Sequence, residues 1–138
     1  RVQIYEDRGQ GFREEDSYFV KEAYQGPELI EFELAVDGKV RQLRIDPAFA
    51  PCVVKIREMT FNGEAVALDR RKMLQANGSV AKPGRGRREE YRPSMVFPTE
   101  DPYFSIAIHK LARQEENRLY VRMEIFRLPL EIAREIKS

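Results

Sequence analysis

The chain has 138 residues, enough for one hydrophobic core but not for two of comfortable size. Its 24 basic and 23 acidic residues leave a net charge of +1, so no overall field attracts nucleic acid or an anionic membrane. A single cysteine, Cys52, excludes an internal disulfide and a thiolate metal cluster, and no apolar run approaches the roughly 18 residues of a membrane-spanning helix. We therefore expect one globular domain, and the apolar neighbours of Cys52 predict a buried, unreactive thiol in a reducing, cytoplasmic setting.

The first half of the chain alternates apolar and polar residues with the period of two that is typical of half-buried strands. This pattern predicts strands over residues 2–6, 17–24, 30–36 and 40–45. Asp37-Gly38 between the last two is a strong hairpin signal. A further strand is predicted over residues 52–61, where the apolar parity slips between Ile56 and Met59 and so indicates a β-bulge.

The second half continues the strand pattern and ends differently. Strands are predicted over residues 103–109 and 119–125, joined by a polar stretch. At least seven short strands separated by turn residues predict an all-β antiparallel β-sandwich, jelly-roll-like, over residues 1–128. Residues 129–138 predict a short C-terminal helix, since Pro129 opens the segment and Leu128, Ile132 and Ile136 fall four residues apart. We expect that helix to lead into a following domain and its apolar stripe to find a partner.

A basic loop interrupts the strand pattern between residues 76 and 93. Its cations could hold a phosphate or another anion, which makes them candidate anion-binding residues. The alternative is an ordinary solvated loop, partly neutralised by the two glutamates that follow; it is favoured because no wider basic face is present. The candidates are Lys82, Arg85, Arg87 and Arg88.

An acidic loop lies between the first two predicted strands. Four carboxylates stand within ten residues beside two glycines, and such oxygen-rich loops can hold a structural Ca²⁺. The candidate metal ligands are Asp7 and Asp16. The competing interpretation is again a solvated loop, and no other cofactor is expected.

Tyrosines are the candidate sugar-binding residues, because sugar rings stack on aromatic side chains. The sequence has no tryptophan, the best platform for such stacking. Tyr103 and Tyr120 lie on the non-core parity of their predicted strands, and the full set of candidates is Tyr24, Tyr91, Tyr103 and Tyr120.

No catalytic residue is predicted. His109 is the single histidine, and no serine or cysteine motif accompanies it as a nucleophile. Its parity is opposite to that of the core-facing Phe104 and Ile106, so we expect an ordinary histidine on a sheet surface. Phosphate-binding, dinucleotide-binding and zinc-protease motifs do not occur.

Four short motifs, in order along the chain, resemble a known family. They are Gln-Ile-Tyr-Glu-Asp-Arg-Gly-Gln-Gly-Phe at 3–12, Leu-Arg-Ile-Asp-Pro at 43–47, Cys-Val-Val-Lys-Ile at 52–56 and Phe-Pro-Thr-Glu-Asp-Pro at 97–102. Together they resemble the accessory β-sandwich domain attached to bacterial glycosyltransferases of cell-surface polysaccharide synthesis, of the rhamnan type. The basic loop is not part of that pattern, and no catalytic residues can be carried over.

The resemblance implies a non-catalytic accessory domain in bacterial polysaccharide biosynthesis. Its expected partners are a catalytic glycosyltransferase domain in the same chain and a glycan, without nucleic acid or a transmembrane segment. The alternative is a structural module without ligand that packs between domains or associates with itself as a homodimer. An exposed tyrosine patch would favour the first function, and a flat apolar patch continuous with the C-terminal helix would favour the second.

Overall fold

The computed structural model describes residues 1–81 and 92–137. This part of the chain forms twelve strands, two short 3-10 turns at Glu14–Asp16 and Ile108–Lys110, and one helix. The strands are β1 Gln3–Asp7, β2 Ser17–Phe19, β3 Ala23–Tyr24, β4 Leu29–Asp37, β5 Gln42–Asp46, β6 Cys52–Phe61, β7 Glu64–Ala65, β8 Leu74–Ala76, β9 Ser79–Val80, β10 Ser94–Phe97, β11 Phe104–Ile106 and β12 Glu116–Arg127, and the helix is α1 Leu130–Lys137.

The strands form two antiparallel sheets. The five-stranded sheet has the order β2-β1-β5-β11-β8, and the seven-stranded sheet has the order β3-β4-β12-β6-β10-β9 with β7 paired to β6. Both sheets bury their apolar side chains in a common core, as the period of two requires. The predicted all-β sandwich with a short C-terminal helix is confirmed.

The core lies between the sheets and is built from alternate residues of each strand. Its largest fully buried side chains come from both layers: Ile4, Leu43, Ile45, Phe104 and Ile106 from the five-stranded sheet, and Ile56, Met95, Phe97, Leu119 and Met123 from the seven-stranded sheet. The residues that lie between these along each strand therefore point away from the core, and they form the two outer faces of the sandwich.

The predicted β-bulge is confirmed in β6. Opposite β12, Glu58 pairs with Arg122 while Ile56 pairs with the next residue, Met123, so Arg57 is the extra residue of β6. The slip brings both Ile56 and Met59 into the core, although they differ in parity.

One predicted hairpin and one predicted continuous strand are wrong, and both errors concern which sheet a strand joins. The predicted hairpin at Asp37-Gly38 does not form: β4 pairs with β3 and β12, whereas β5 pairs with β1 and β11 in the other sheet. Gly38 instead packs against the segment before β12, where its N–H donates to Glu115 at 3.0 Å and an added Cβ would lie 2.8 Å from the Gln114 carbonyl oxygen. The turn therefore carries the chain across the core.

The predicted strand over residues 17–24 likewise divides. β2 pairs with β1 in the five-stranded sheet, and β3 pairs with β4 in the seven-stranded sheet. Val20 marks the crossing: its side chain is buried and its N–H donates to Val2 at 3.0 Å. Because the chain crosses here, β2 forms one edge of the five-stranded sheet and β3 forms one edge of the seven-stranded sheet.

The predicted strand over residues 103–109 ends early. β11 stops at Ile106, and a 3-10 turn follows in which Ile108 is buried and His109 is exposed. The prediction that His109 lies on a sheet surface is therefore wrong, although its exposure is confirmed. Its N–H donates to the carbonyl oxygen of Arg41 at 2.8 Å, which fixes the turn beside the start of β5.

Candidate functional site

The outer face of the five-stranded sheet is the side of β1, β5, β8 and β11 that points away from the core. Register places its central side chains in two rows, because Tyr5 lies opposite Arg44 and Gln3 lies opposite Asp46, while Ser105 also lies opposite Arg44. Such opposed residues of antiparallel strands have Cβ atoms about 5 Å apart. Tyr103, directly before β11, continues this parity.

A stacked cation occupies the centre of this face. The Arg44 guanidinium carbon lies 4.6 Å from the centre of the Tyr5 ring and 4.1 Å from the centre of the Tyr103 ring. Both distances are within the roughly 6 Å of a cation–π contact. One arginine thus holds two aromatic rings, one from β1 and one from the segment that leads into β11.

Asp46 fixes the orientation of Arg44. Its carboxylate accepts two hydrogen bonds from the guanidinium, from Nε at 2.8 Å and from Nη2 at 3.0 Å. Burial disfavours the charged form of Arg44, but the hydrogen bond and the charge of Asp46 outweigh it and raise the pKa of the guanidinium above its ordinary value. A bidentate pair of this kind has a defined geometry, so the plane between the two rings is set before any ligand arrives.

The floor of the face is also hydrogen-bonded. The Tyr5 hydroxyl donates to Glu14 at 3.1 Å, and Ser17 donates to the Glu14 backbone at 2.6 Å and accepts from Gln3 at 3.1 Å. Burial, followed by the bond to Glu14, raises the pKa of Tyr5. Although it lies outside the core cluster, Tyr5 is only 9% exposed, so this polar layer covers the ring.

Tyr103 is held from its other side by Asn77. The Asn77 side chain accepts a hydrogen bond from the Tyr103 N–H at 2.8 Å and donates to the carbonyl oxygen of Asp101 at 2.7 Å, while its own N–H donates to the Tyr103 carbonyl oxygen at 3.1 Å. The segment that carries the ring is therefore fixed at both ends, and the half-buried ring remains accessible from solvent.

The predicted sugar-binding tyrosines do not come together. Tyr103 lies on the outer face of the five-stranded sheet, whereas Tyr120 lies on the opposite outer face and donates to Glu31 at 2.7 Å. Tyr24 lies on the edge strand β3, opposite Ile30, and is 68% exposed. Tyr91 lies outside the described residues. Of the three candidate tyrosines that the structure describes, only Tyr103 has a second aromatic ring held beside it through a shared cation.

The other predicted sites have different outcomes. The candidate anion-binding residues Arg85, Arg87 and Arg88, together with Lys82, lie outside the described residues. Asp7 accepts hydrogen bonds from the N–H groups of Gly9 and Gly11 at 2.7 and 2.9 Å, so one carboxylate oxygen already shapes its loop. Asp16 pairs with Arg13 at 3.4 Å. Within residues 1–81 and 92–137, no three histidine, cysteine or acidic residues are grouped as a metal site would require.

The predicted burial of Cys52 is confirmed. Its side chain is 2% exposed in the core, and burial raises the pKa of the thiol to about 11. A thiol in this state reacts slowly, because the thiolate is the nucleophile.

A concavity of about 650 Å³ opens between the two sheets where β1 and β4 end. Arg8 crosses it, bonded to Glu6 at 3.3 Å and paired with Asp37 of the opposite sheet. Burial works against the ionised form of Asp37, but the Lys39 N–H and the Arg8 guanidinium outweigh it and lower its pKa. For Glu6, burial outweighs the attraction of Arg8 and raises the pKa. Arg8 thus pairs with an acidic residue of each sheet, and these ion pairs link the two sheets.

Exposed apolar side chains gather elsewhere. Phe19 and Phe49 have ring centres 6.3 Å apart and are 43% and 56% exposed, and Arg1 lies 4.3 Å over the Phe19 ring. On α1, Leu130, Ile132 and Ile136 are also exposed. Of the predicted apolar stripe, Ile132 and Ile136 are therefore uncovered, whereas Leu128 is half-buried. Exposed apolar surfaces of this kind suit packing against another protein.

Sequence reasoning missed Tyr5 and Arg44 as site residues. Their outward parity is readable, because Arg44 alternates with the core residues Leu43 and Ile45. The contact between the two side chains cannot be read from the sequence, because it depends on β5 lying between β1 and β11.

Comparison with protein-family models, with curated proteins and with solved structures finds no match to this chain in any of the three. Among the residues that the structure describes, no helix has the length and apolar character needed to cross a membrane.

Proposed function

We propose that this chain is a non-catalytic accessory domain of a bacterial glycosyltransferase in polysaccharide biosynthesis, and that it binds glycan on the outer face of its five-stranded sheet. The observation that carries the glycan part is the stack of Tyr5, Arg44 and Tyr103, which presents a partly exposed ring in a fixed orientation. The parent enzyme rests on the four sequence motifs. The proposal includes a cytoplasmic location, where the single thiol stays reduced.

The chemistry of the face suits a sugar. The C–H groups of a sugar ring pack on an aromatic ring, and its hydroxyls need both donors and acceptors around that ring. Further along the same face from Tyr103, a pocket offers the hydroxyl of Ser105 and the amides of Gln42 and Gln75. Because the stack is already ordered, little side-chain freedom is lost on binding, which lowers the cost of association.

The test uses the intact chain and two matched tyrosine variants. Immobilised bacterial glycans are first screened for binding, and the affinity for a bound glycan is then measured by calorimetry. Tyr103→Ala should abolish binding, whereas Tyr120→Ala, on the opposite sheet, should retain it. Equal effects of the two changes would reject the outer face of the five-stranded sheet as the site, and circular dichroism verifies that both variants fold.

The alternative function is a packing or self-association module. It is favoured by the exposed Phe19–Phe49 pair and by the exposed side chains of α1. In that case the chain should bind no glycan and should dimerise with rising concentration in sedimentation experiments. Phe49→Ser should then weaken the dimer.

A further inference from the structure

A small polar pocket adjoins the stacked cation on the outer face of the five-stranded sheet. Its volume is about 210 Å³, and it lies among β5, β8, β11 and the two turns that precede β8 and follow β11. Ser105 is two residues from Tyr103 along the strand, a separation of about 7 Å, so the near side of the pocket lies within one sugar unit of the ring. Lys72 precedes Leu74, which lies opposite Ile106, and is therefore at the far side, so a ligand of several units is needed to reach both Tyr103 and Lys72. The polar residues that line it are Gln42, Lys72, Gln75, Ser105, His109 and Lys110.

The charge of the pocket has one sign. Among residues 1–81 and 92–137, the charged side chains that line it are two lysines, and none is an aspartate or glutamate. This differs from the chain as a whole, where acids and bases are nearly equal in number. The pocket therefore favours an anion over a neutral or cationic group.

Several of these side chains have no partner within the part of the chain that the structure describes. Within residues 1–81 and 92–137, the side chains of Gln42, Lys72, Gln75 and Ser105 make no hydrogen bond or ion pair. Lys110, in contrast, donates to the Arg71 carbonyl oxygen at 2.7 Å and so fixes the turn opposite. The pocket thus combines an anchored wall with one lysine, two amides and a hydroxyl whose hydrogen-bonding capacity is available to a ligand.

The backbone at Lys72 is strained. Its φ of 60° lies in the left-handed region, which costs of order 1 kcal/mol or more for a residue other than glycine or asparagine. The turn is held on both sides, since Met73 donates to Arg70 at 3.0 Å and accepts from Ala107 at 2.9 Å. Strain of this kind recurs at functional sites, and here it places a lysine at the pocket wall.

We propose that this pocket binds the anionic group of an acidic sugar unit, a carboxylate or a phosphate, while another unit of the same glycan packs on Tyr103. The inference rests on the proposed function and narrows its ligand from glycans in general to acidic ones. Lys72 supplies the counter-charge. The amides of Gln42 and Gln75 and the hydroxyl of Ser105 bond the sugar hydroxyls.

The experiment records backbone amide NMR shifts of the full chain during titration with four probes: glucuronate, glucose 1-phosphate, glucose and inorganic phosphate. Glucuronate and glucose 1-phosphate should shift the amides around Lys72 and Ser105 and bind at least tenfold more tightly than glucose. Their ratio shows whether the site prefers carboxylate or phosphate. Lys72→Gln should weaken both acidic sugars about tenfold, Lys72→Arg should restore binding, and Lys21→Gln, an equal charge change beside β2, should change nothing.

The outcomes separate the two proposals. If glucose binds as tightly as glucuronate, the acidic-sugar inference fails while glycan binding stands. If inorganic phosphate binds in a Lys72-dependent manner and none of the sugars binds, the pocket is an anion site without sugar recognition and the acidic-sugar inference fails. If none of the four probes shifts these amides, the acidic-sugar inference is likewise wrong, and glycan binding is then decided separately by the glycan screen and the Tyr103→Ala variant.

Discussion

Replacing Arg44 by leucine tests whether the stack on the outer face of the five-stranded sheet is a built structure. The change removes the guanidinium from between Tyr5 and Tyr103 and leaves Asp46 without its bidentate partner. Leucine keeps much of the aliphatic volume, so lost packing contributes little. We expect a clear loss of folding stability.

The magnitude follows from burial. Breaking a fully buried ion pair costs about 3–5 kcal/mol, because one charge is left uncompensated. The side chains of Arg44 and Asp46 are 24% and 10% exposed, so water offsets part of that cost. We take about 2 kcal/mol for the pair and about 1 kcal/mol for the two cation–π contacts together, which gives about 3 kcal/mol.

Urea denaturation followed by circular dichroism measures the free energy of unfolding of Arg44→Leu, Asp46→Leu and the double variant. The two single changes should be coupled by about 2 kcal/mol, because each removes the same pair. Arg118→Leu is the matched control: its 3.6 Å pair with Glu33 is more than half exposed on both sides and should cost under about 1 kcal/mol. A loss for Arg44→Leu no larger than for this control would refute the claim of a preorganised stack.

Four further predictions concern other parts of the domain. Gly78→Ala should destabilise the fold by about 2 kcal/mol or more in the same urea assay, because an added Cβ would lie 2.2 Å from a backbone oxygen. Cys52 should resist a thiol reagent at about pH 8 in the native state and react once urea unfolds the chain, since burial raises its pKa to about 11. The hydrogen bond to Glu31, followed by burial, raises the pKa of Tyr120 from 10.0 to about 12. Its contribution to stability is therefore complete below about pH 10 and is lost as the pH rises toward 12, so Tyr120→Phe should flatten the alkaline fall in unfolding free energy. Truncation after Arg127 should leave the circular dichroism of the sandwich intact and reduce any self-association in sedimentation; unfolding of the sheets would show instead that α1 belongs to the core.

The sequence predicts the strands well where one side of each is buried. The alternation in β4, β6 and β12 is long, and even the bulge at Arg57 is visible as a parity slip between Ile56 and Met59. The short strands β7, β8, β9 and β10 were not predicted. Each has two to four residues, too few for a period of two to be distinguished from chance.

Sheet membership is the part that local patterns do not contain. Asp37-Gly38 has the composition of a hairpin turn, yet β4 and β5 belong to different sheets. Whether β4 is joined to β5 by a hairpin or by a crossing to the other sheet, the same alternate residues are buried in the same core. The apolar pattern therefore does not distinguish the two connections. The choice is made by distant contacts, such as the packing of Gly38 on Gln114, which adjacent residues do not reveal.

The candidate site shares this limit. Tyr103 was predicted from its parity alone, but its meeting with Tyr5 and Arg44 depends on strand order. The pocket beside it depends in addition on two turns, one of which replaced the predicted end of a strand at His109. Outward parity identifies candidates on both outer faces, and only the tertiary fold shows which of them converge.

The two outer faces differ in whether their charged side chains already have partners, and this difference favours the five-stranded sheet as the proposed binding surface. On the seven-stranded sheet, acidic side chains lie across the strands from basic or hydroxyl partners, so a ligand there must displace existing contacts. The contacts are Arg57–Glu124, Arg122–Glu58, Arg118–Glu33 and Tyr120–Glu31. On the five-stranded sheet, the Arg44–Asp46 pair orders the rings, while the lysine at 72 in the adjoining pocket has no counter-ion among the described residues. A ligand there gains a charge-assisted contact without breaking one within the described protein, although the exposure of Lys72 limits such a contact to under about 1 kcal/mol. Two aromatic rings ordered by one cation therefore distinguish this face from the other, where Lys55 lies over the single ring of Phe126.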